Sequence, residues 1–332
     1  LSIVPQVQLR EQVAGVGGRL LYWEFAERVR TSMKWNMSSL AELVNKYHRK
    51  ALIVCGGGPS IRNELDTIRE LQARGGYVLC CNKTEEYFRT LDKPIIPWAT
   101  ILLDPMPWVA DYVPHPRPAG IYFIASSCHP RVSRKIKLAG GKVYLWHAGA
   151  DFYGKNMPQP ILQKDYADKA WAIIVGPTTV GLRSVPLGYQ LGFRPFHLFG
   201  MDSSMAINNK GEYNLHAYAK PRPEDSEEGN VTLTTRAGSW TFYTNSHMSR
   251  QALDFEDLVE QIGQHVMKRN WEPVDIRVYG DGLLPAYAAS IGLHGNPLMN
   301  QKYGSVRAHS FAEPLDLTGM DINENPHQQV SA

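Results

Sequence analysis

Cysteine is scarce in this sequence, long apolar runs are missing, and neither sign of charge is much in excess. Four of the 332 residues are cysteine: Cys55, Cys80, Cys81 and Cys128. No C-x-x-C pair occurs, which speaks against a structural zinc site. Cys80 and Cys81 are adjacent and would point to opposite faces of a strand, so they make a poor disulfide pair. Reduced thiols in a cytoplasm-like compartment are therefore expected. Lys plus Arg exceed Asp plus Glu by 35 − 32 = 3. So small a surplus excludes a protein held to nucleic acid by bulk charge, and leaves room for a local basic patch. No apolar run approaches the roughly 18 residues that span a bilayer. The N-terminal stretch, residues 1–12, lacks the basic-then-apolar layout of a secretion signal. There is no internal repeat and no low-complexity stretch.

What is present is an ordinary globular composition, 43% hydrophobic and 20% charged. That supports a sizeable core and excludes wholesale disorder. At about 150 residues per domain, the length fits two domains or one large α/β domain with elaborated ends.

Residues 8–48 read as an N-terminal helical segment. Leu20, Leu21, Trp23, Phe25, Ala26 and Val29 recur near helical spacing. Ser38-Ser39 before Leu40, Leu43 and Val44 reads as a cap and a second amphipathic helix. The segment is either a cap packed on the next domain or a basic face for an acidic partner, through Arg28, Arg30, Lys34, His48, Arg49 and Lys50. From Ala51 the grammar changes. Short apolar runs at 51–55, 77–81, 95–103, 121–124 and 142–146 alternate with helical stretches. That alternation predicts an α/β fold: a Rossmann-like, doubly wound, mostly parallel sheet. Further strands are expected at 195–199 and 275–279, and helices after Val180 and over roughly 247–268. Residues 203–240 read as polar and irregular, with Pro221–Glu228 as a loop. The expected organisation is a helical segment over 1–50, a Rossmann-like domain over 51–290, and a polar C-terminal tail over 291–332 that packs loosely or serves as an oligomer arm.

In an open α/β sheet, ligands bind outside the carboxyl ends of the strands. The candidates are therefore Gly56-Gly57-Gly58-Pro59-Ser60, Asn82, Asp104, Gly176–Gly181, Asp202 and Gly280–Gly282. Glycines let backbone approach a ligand closely, and a following helix offers N–H groups to an anion. Ser60 would cap that helix or bond a phosphate. The turn is neither G-x-G-x-x-G nor a P-loop. Thr178, Thr179 and Gly181 form a second turn of the same kind. Asp104 and Asp202 would hold Mg²⁺ against a diphosphate, bond a ribose hydroxyl, or cap a turn. His247, just before a helix, suits a general base near neutral pH. His216 is a candidate for phosphate or metal contact.

Taken in order, Val54–Ser60, Cys81-Asn82, Leu103–Pro105, Thr179–Gly181, Leu191–Phe193 and Leu198–Asp202 resemble the domain shared by Maf flagellin glycosyltransferases and the archaeal 6-hydroxymethylpterin diphosphokinase. The same order is similar to the bacterial sialyltransferases of glycosyltransferase family 42. The resemblance covers about residues 50–290. It implies that Asn82, Thr179–Gly181 and Gly200–Asp202 stand where those enzymes bind donor, and that His247 stands at their catalytic base. Gly57 replaces their first asparagine. Ser203-Ser204 stands where the first of their two phosphate-steadying tyrosines is expected, with Tyr213 or Tyr218 in place of the second. Asn209–Ala217 and Gly238–Thr244 resemble stretches of the Maf branch. The His-Ala-His-Gly-Asp-Asn stretch of the pterin enzyme is missing, and of its acidic pair Asp104 alone remains.

The resemblance implies a glycosyltransferase moving a sugar from a nucleotide-activated donor to a hydroxyl acceptor. Its catalytic residues would be His247 and Asp202. Its donor-binding residues would be Gly56, Gly57, Gly58, Ser60, Asn82, Asp104, Thr178, Thr179, Gly181 and His216. No cofactor is required on that reading. The alternatives are a diphosphokinase using ATP and Mg²⁺, with Asp104 and Asp202 as metal ligands, and a non-catalytic nucleotide-binding protein on the same fold. The acceptor class stays open among protein, glycan, small heterocycle and modified nucleobase. A cytoplasmic location, no membrane span and a possible homo-oligomer complete the expectation.

Overall fold

The computed structural model describes residues 22–35, 37–152, 155–221, 229–235, 237–268 and 272–305. Helix α1 (Tyr22–Lys34) opens the described chain and buries Phe25, Ala26, Val29 and Met33, a stripe at helical spacing. The expected helical residues before Tyr22 lie outside the described residues. After β1 (Ser38–Ser39) the second expected helix shrinks to one 3-10 turn, Leu40–Leu43. A capping box starts it: Ser39 Oγ accepts Ala41 N–H and Glu42 Oε1 accepts Ser39 N–H. Asn45 at φ 58° then turns the chain out of helical geometry.

The strand–helix alternation follows: β2 (Leu52–Cys55), α2 (Leu65–Ala73), β3 (Tyr77–Cys81), α3 (Thr84–Arg89), β4 (Ala99–Leu102), β5 (Ile121–Ala125), α4 (Pro130–Leu138) and β6 (Lys142–Ala148). The hairpin β7 (Ala150–Phe152) and β8 (Lys155–Met157) leads to α5 (Gln159–Asp165), β9 (Ile173–Ile174) and α6 (Val180–Leu191). Then come β10 (Pro195–Phe199), β11 (Ala206–Ile207), β12 (Tyr213–Asn214), β13 (Gly229–Thr235), β14 (Gly238–Thr244), α7 (Ser246–Lys268), β15 (Asp275–Val278), α8 (Leu283–Ser290) and α9 (Pro297–Lys302).

The chain divides into two compact units. The described residues of the first come from Arg49–Val78 and Arg194–Thr318, and those of the second from Gly18–His48 and Leu79–Phe193. In the first, β10 lies between β2 and β15, all parallel, with Phe196 opposite both Leu52 and Ile276. Leu52 to Cys55 are buried on both faces, which is why that strand reads as a continuous apolar run. In the second, the order is β1-β6-β5-β4-β3, all parallel, with β9 also on β6. Here α1 packs with Leu145, Ile161 and Leu162. In both units the sheet is mostly parallel and flanked by helices, the α/β class that the sequence predicts.

Two further stretches differ from expectation. Within 203–240, β13 and β14 form a regular antiparallel hairpin, and Val231 and Leu233 are its buried alternate residues. The Pro221–Glu228 loop lies, beyond Pro221, outside the described residues. The chain after residue 292 does not hang loose at first: Leu293 and His294 are buried, His294 bridges to Val278, and α9 follows.

Phe199 is fully buried and stacks on Tyr279 with ring centroids 4.2 Å apart. Truncating it leaves a cavity under the strand ends. Phe199→Ala should lower the unfolding free energy by about 3–5 kcal/mol. Urea denaturation reads this as a fall in midpoint at unchanged slope.

Candidate functional site

The first unit gathers three strand ends. The glycine turn follows β2, Gly200–Ser204 follows β10, and Gly280–Gly282 follows β15. The backbones come so close that side chains are excluded. A Cβ on Gly56 would lie 2.5 Å from Gly200 O, and one on Gly58 would lie 2.7 Å from Asp202 Cγ. Gly200, at φ 63°, has the left-handed backbone that glycine adopts freely. Gly56 N–H donates to Phe199 O and Gly58 N–H to Gly200 O, at 2.8 and 2.9 Å. Gly57 O accepts Ala217 N–H at 2.9 Å, but Gly57 N–H has no partner among the described residues. The Tyr218 ring covers this residue: a Cβ on Gly57 would lie 2.7 Å from Tyr218 Oη. His216 stacks on Tyr218 at 5.1 Å.

Asp202 locks the arrangement. It is buried, and both its oxygens are engaged by Ser60: the backbone N–H donates to Oδ2 at 2.8 Å and the hydroxyl to Oδ1. Ser60 therefore neither caps a helix nor stands open to a phosphate. The turn runs into a 3-10 turn, Pro59–Asn63, and α2 starts only at Leu65. Asp202 O accepts Leu284 N–H, and Leu283 N–H donates to Ser204 Oγ, which joins the start of α8 to the same loop. Burial pushes the Asp202 carboxyl up to about 6, against the pull of the two Ser60 hydrogen bonds; Asp281 and Glu64 push it further up. Burial likewise raises Glu64.

His247 is exposed, in the first turn of α7. Asn245 caps that helix, its Oδ1 accepting Met248 N–H at 3.0 Å. Thr244 Oγ1 donates to Ser203 O at 2.8 Å, and Ser203 Oγ bonds Gln251 Oε1 at 3.0 Å. The beginning of α7 is thus anchored to the residue after Asp202. His247 itself makes no hydrogen bond to Asp202, Ser60 or the glycine turn.

The remaining predicted residues belong to the second unit. Asn82 ends β3 at φ 53°, and its N–H donates to Ile101 O at 3.1 Å. Asp104 Oδ1 accepts Met106 N–H at 2.9 Å, a turn-capping contact. Thr179 is the extended residue before α6; its carbonyl accepts Arg183 N–H at 2.9 Å, while its hydroxyl does not cap. Thr178 is exposed and Gly181 is buried. Asn82 Oδ1 and Thr179 Oγ1 are buried without a hydrogen-bond partner among the described residues. Such atoms are costly to leave unmatched and mark places that a polar ligand would satisfy. Among the described residues no cluster of three or more His, Cys, Asp or Glu side chains is placed to hold a metal ion.

Ser203, next to Asp202, takes φ 53°. Glu64 and His294 are contributors that the sequence did not point to. Glu64 and Asp281 face Asp202 electrostatically. His294 supports the third turn: Asn296 N–H donates to its Nδ1 at 2.9 Å, which leaves Nε2–H to donate to Gly280 O at 2.8 Å. Nothing local in the sequence announces the Glu64 contact, because it joins segments far apart in the chain.

The fold and these strand ends define an α/β protein whose candidate site is built from backbone turns. Residues 25–208 match the family model described as 6-hydroxymethylpterin diphosphokinase MptE-like. The match covers more than half of the chain, and the chain belongs to this family. No curated protein matches it. Its fold is similar to the solved structure of the MAf glycosyltransferase from Magnetospirillum magneticum AMB-1, with a TM-score of 0.54 and 17% identity. The likeness covers 87% of this chain and 42% of that one, so the chain spans less than half of that enzyme's length. No helix of the described residues is long and apolar enough to cross a membrane.

The raised Asp202 carboxyl makes a pH prediction. Its stabilising contribution is complete below the free value of 3.8 and is lost as pH rises through about 6. Between those limits the unfolding free energy should fall by roughly 3 kcal/mol on account of this group. Urea denaturation across a pH series should show that fall, and Asp202→Asn should flatten it.

Proposed function

We propose that the protein is a glycosyltransferase that moves a sugar from a nucleotide-activated donor to a hydroxyl acceptor. The observation that carries this reading is the glycine turn of the first unit. Its Gly57 N–H has no partner among the described residues, between two committed neighbours, under Tyr218 and in the turn that Asp202 holds. The fold shared with the MAf glycosyltransferase supports it.

In this reading the Gly57 N–H and the Tyr218 hydroxyl meet the phosphate of the donor. The acceptor oxygen attacks the anomeric carbon, and the bond from that carbon to the phosphate oxygen breaks. Negative charge grows on the leaving phosphate, and fixed donors lower the barrier most where charge develops. His247, exposed and free of other hydrogen bonds, takes the acceptor proton. Asp202 is a positioning residue, because Ser60 already occupies both its oxygens.

The family match favours a second reading, diphosphate transfer from ATP. That chemistry calls for Mg²⁺, and the candidate ligand Asp202 has both its oxygens engaged by Ser60. Asp104 caps Met106 N–H. Metal-free sugar transfer therefore ranks first. A binding protein without catalysis would hold nucleotide and release no product.

A thermal-shift panel of CMP, UDP, GDP, ADP and ATP, each with and without Mg²⁺, separates these readings. A ligand that binds only the folded state raises the melting temperature by mass action. Sugar transfer predicts stabilisation by CMP, UDP or GDP without metal. Stabilisation by ATP only with Mg²⁺ would transfer the assignment to the second reading, and no shift with any nucleotide would refute both. His247→Ala should keep the nucleotide-induced shift while lowering turnover about 10²–10⁴-fold. Unchanged turnover would remove His247 from the mechanism.

A further inference from the structure

Helix α4 of the second unit has a charge pattern that the proposed chemistry does not use. Its sequence, Pro130-Arg-Val-Ser-Arg-Lys-Ile-Lys-Leu138, holds four cations and no carboxylate, although the whole chain carries a surplus of only three. Val132, Ser133 and Ile136 face inward and are buried. Arg131, Arg134, Lys137 and Leu138 face outward and are exposed, Leu138 at 79%. Three- and four-residue spacing puts Arg131, Arg134 and Leu138 on one face.

Both flanks of that face are fixed. On one side Lys135 Nζ donates to Ala110 O at 2.8 Å, on the 3-10 turn Pro107–Asp111, whose Trp108 is 46% exposed. On the other, Lys137 Nζ donates to Trp35 O at 3.3 Å, at the end of α1, where Lys34 is exposed. Arg131, Arg134, Lys137 and Lys34 make no ion pair with a carboxylate among the described residues. Helix electrostatics accounts for Lys135 and Lys137 in the last turn but not for Arg131 in the first, where a cation opposes the macrodipole.

We infer that α4 and its two flanks form a docking face for an anionic phospholipid surface. Unpaired cations around an exposed leucine, beside an exposed tryptophan, match what an interfacial helix needs. The cations meet lipid phosphates and carboxylates, and Leu138 and Trp108 enter the headgroup boundary. A nucleic-acid strand would use the same cations and would gain nothing from Leu138.

The test is co-sedimentation of the full chain with phosphatidylserine–phosphatidylcholine vesicles and with phosphatidylcholine alone, without nucleotide. The protein should pellet with the first and stay in solution with the second. Arg131→Glu, Arg134→Glu and Lys137→Glu combined should lower partitioning by about tenfold or more. Arg134→Glu alone, one exposed change, should lower it measurably and serves if the triple variant does not fold. Leu138→Ser should weaken vesicle binding at unchanged melting temperature. Equal sedimentation with both vesicles, or no loss on charge reversal, overturns the inference. So does binding to a single-stranded oligonucleotide that is tighter than to vesicles and indifferent to Leu138→Ser.

Discussion

The first unit depends on the double hydrogen bond from Ser60 to Asp202. A buried carboxylate is expensive unless its oxygens are matched, and here one residue matches both. The bond ties the turn after β2 to the loop after β10. It also sets the size limits around it. Gly58 has no room for a Cβ because Asp202 lies against it, and Gly282 has none because a Cβ would lie 2.5 Å from Asp202 O. The glycines at this site answer to packing as much as to any ligand.

Once those backbones are locked, most N–H groups of the glycine turn are spent. The N–H groups of Gly56, Gly58 and Ser60 are all spent inside the protein. Gly57 keeps its N–H, and its carbonyl is fixed by Ala217. A preorganised donor that need not be freed before binding is the kind of group that stabilises developing charge. Around it, His294 steadies the Gly280 turn and the Ser203 contacts steady the start of α7. The same constraint that burdens Asp202 electrostatically holds the Gly57 N–H in place.

Much of this was legible in the sequence. The apolar runs at 51–55, 77–81 and 121–124 correspond to strands, because residues buried on both faces need no polar alternation. Gly192 ends α6, and it takes the left-handed φ of 104° that such an end favours. The β13–β14 hairpin was missed because Thr and Ser fill its outward positions and hide the short period of Val231 and Leu233. Gly56–Ser60 and Asp202 were found as strand ends. Their mutual bond was not, since it joins residues 142 positions apart. Ser60 looked like a free phosphate ligand for the same reason. Asp104, expected as a metal ligand, a ribose partner or a turn cap, makes a turn-capping contact through Oδ1.

The central claim is that Gly57 N–H is the backbone donor that meets the nucleotide phosphate. Selective ¹⁵N-glycine labelling tests it directly, through amide spectra recorded while the nucleotide found by thermal shift is added. The Gly57 resonance should move downfield and saturate with the ligand, while Gly75 and Gly211, whose surroundings are open, stay in place. A saturable ligand that leaves Gly57 unmoved, or moves only glycines outside the turn, would contradict the account.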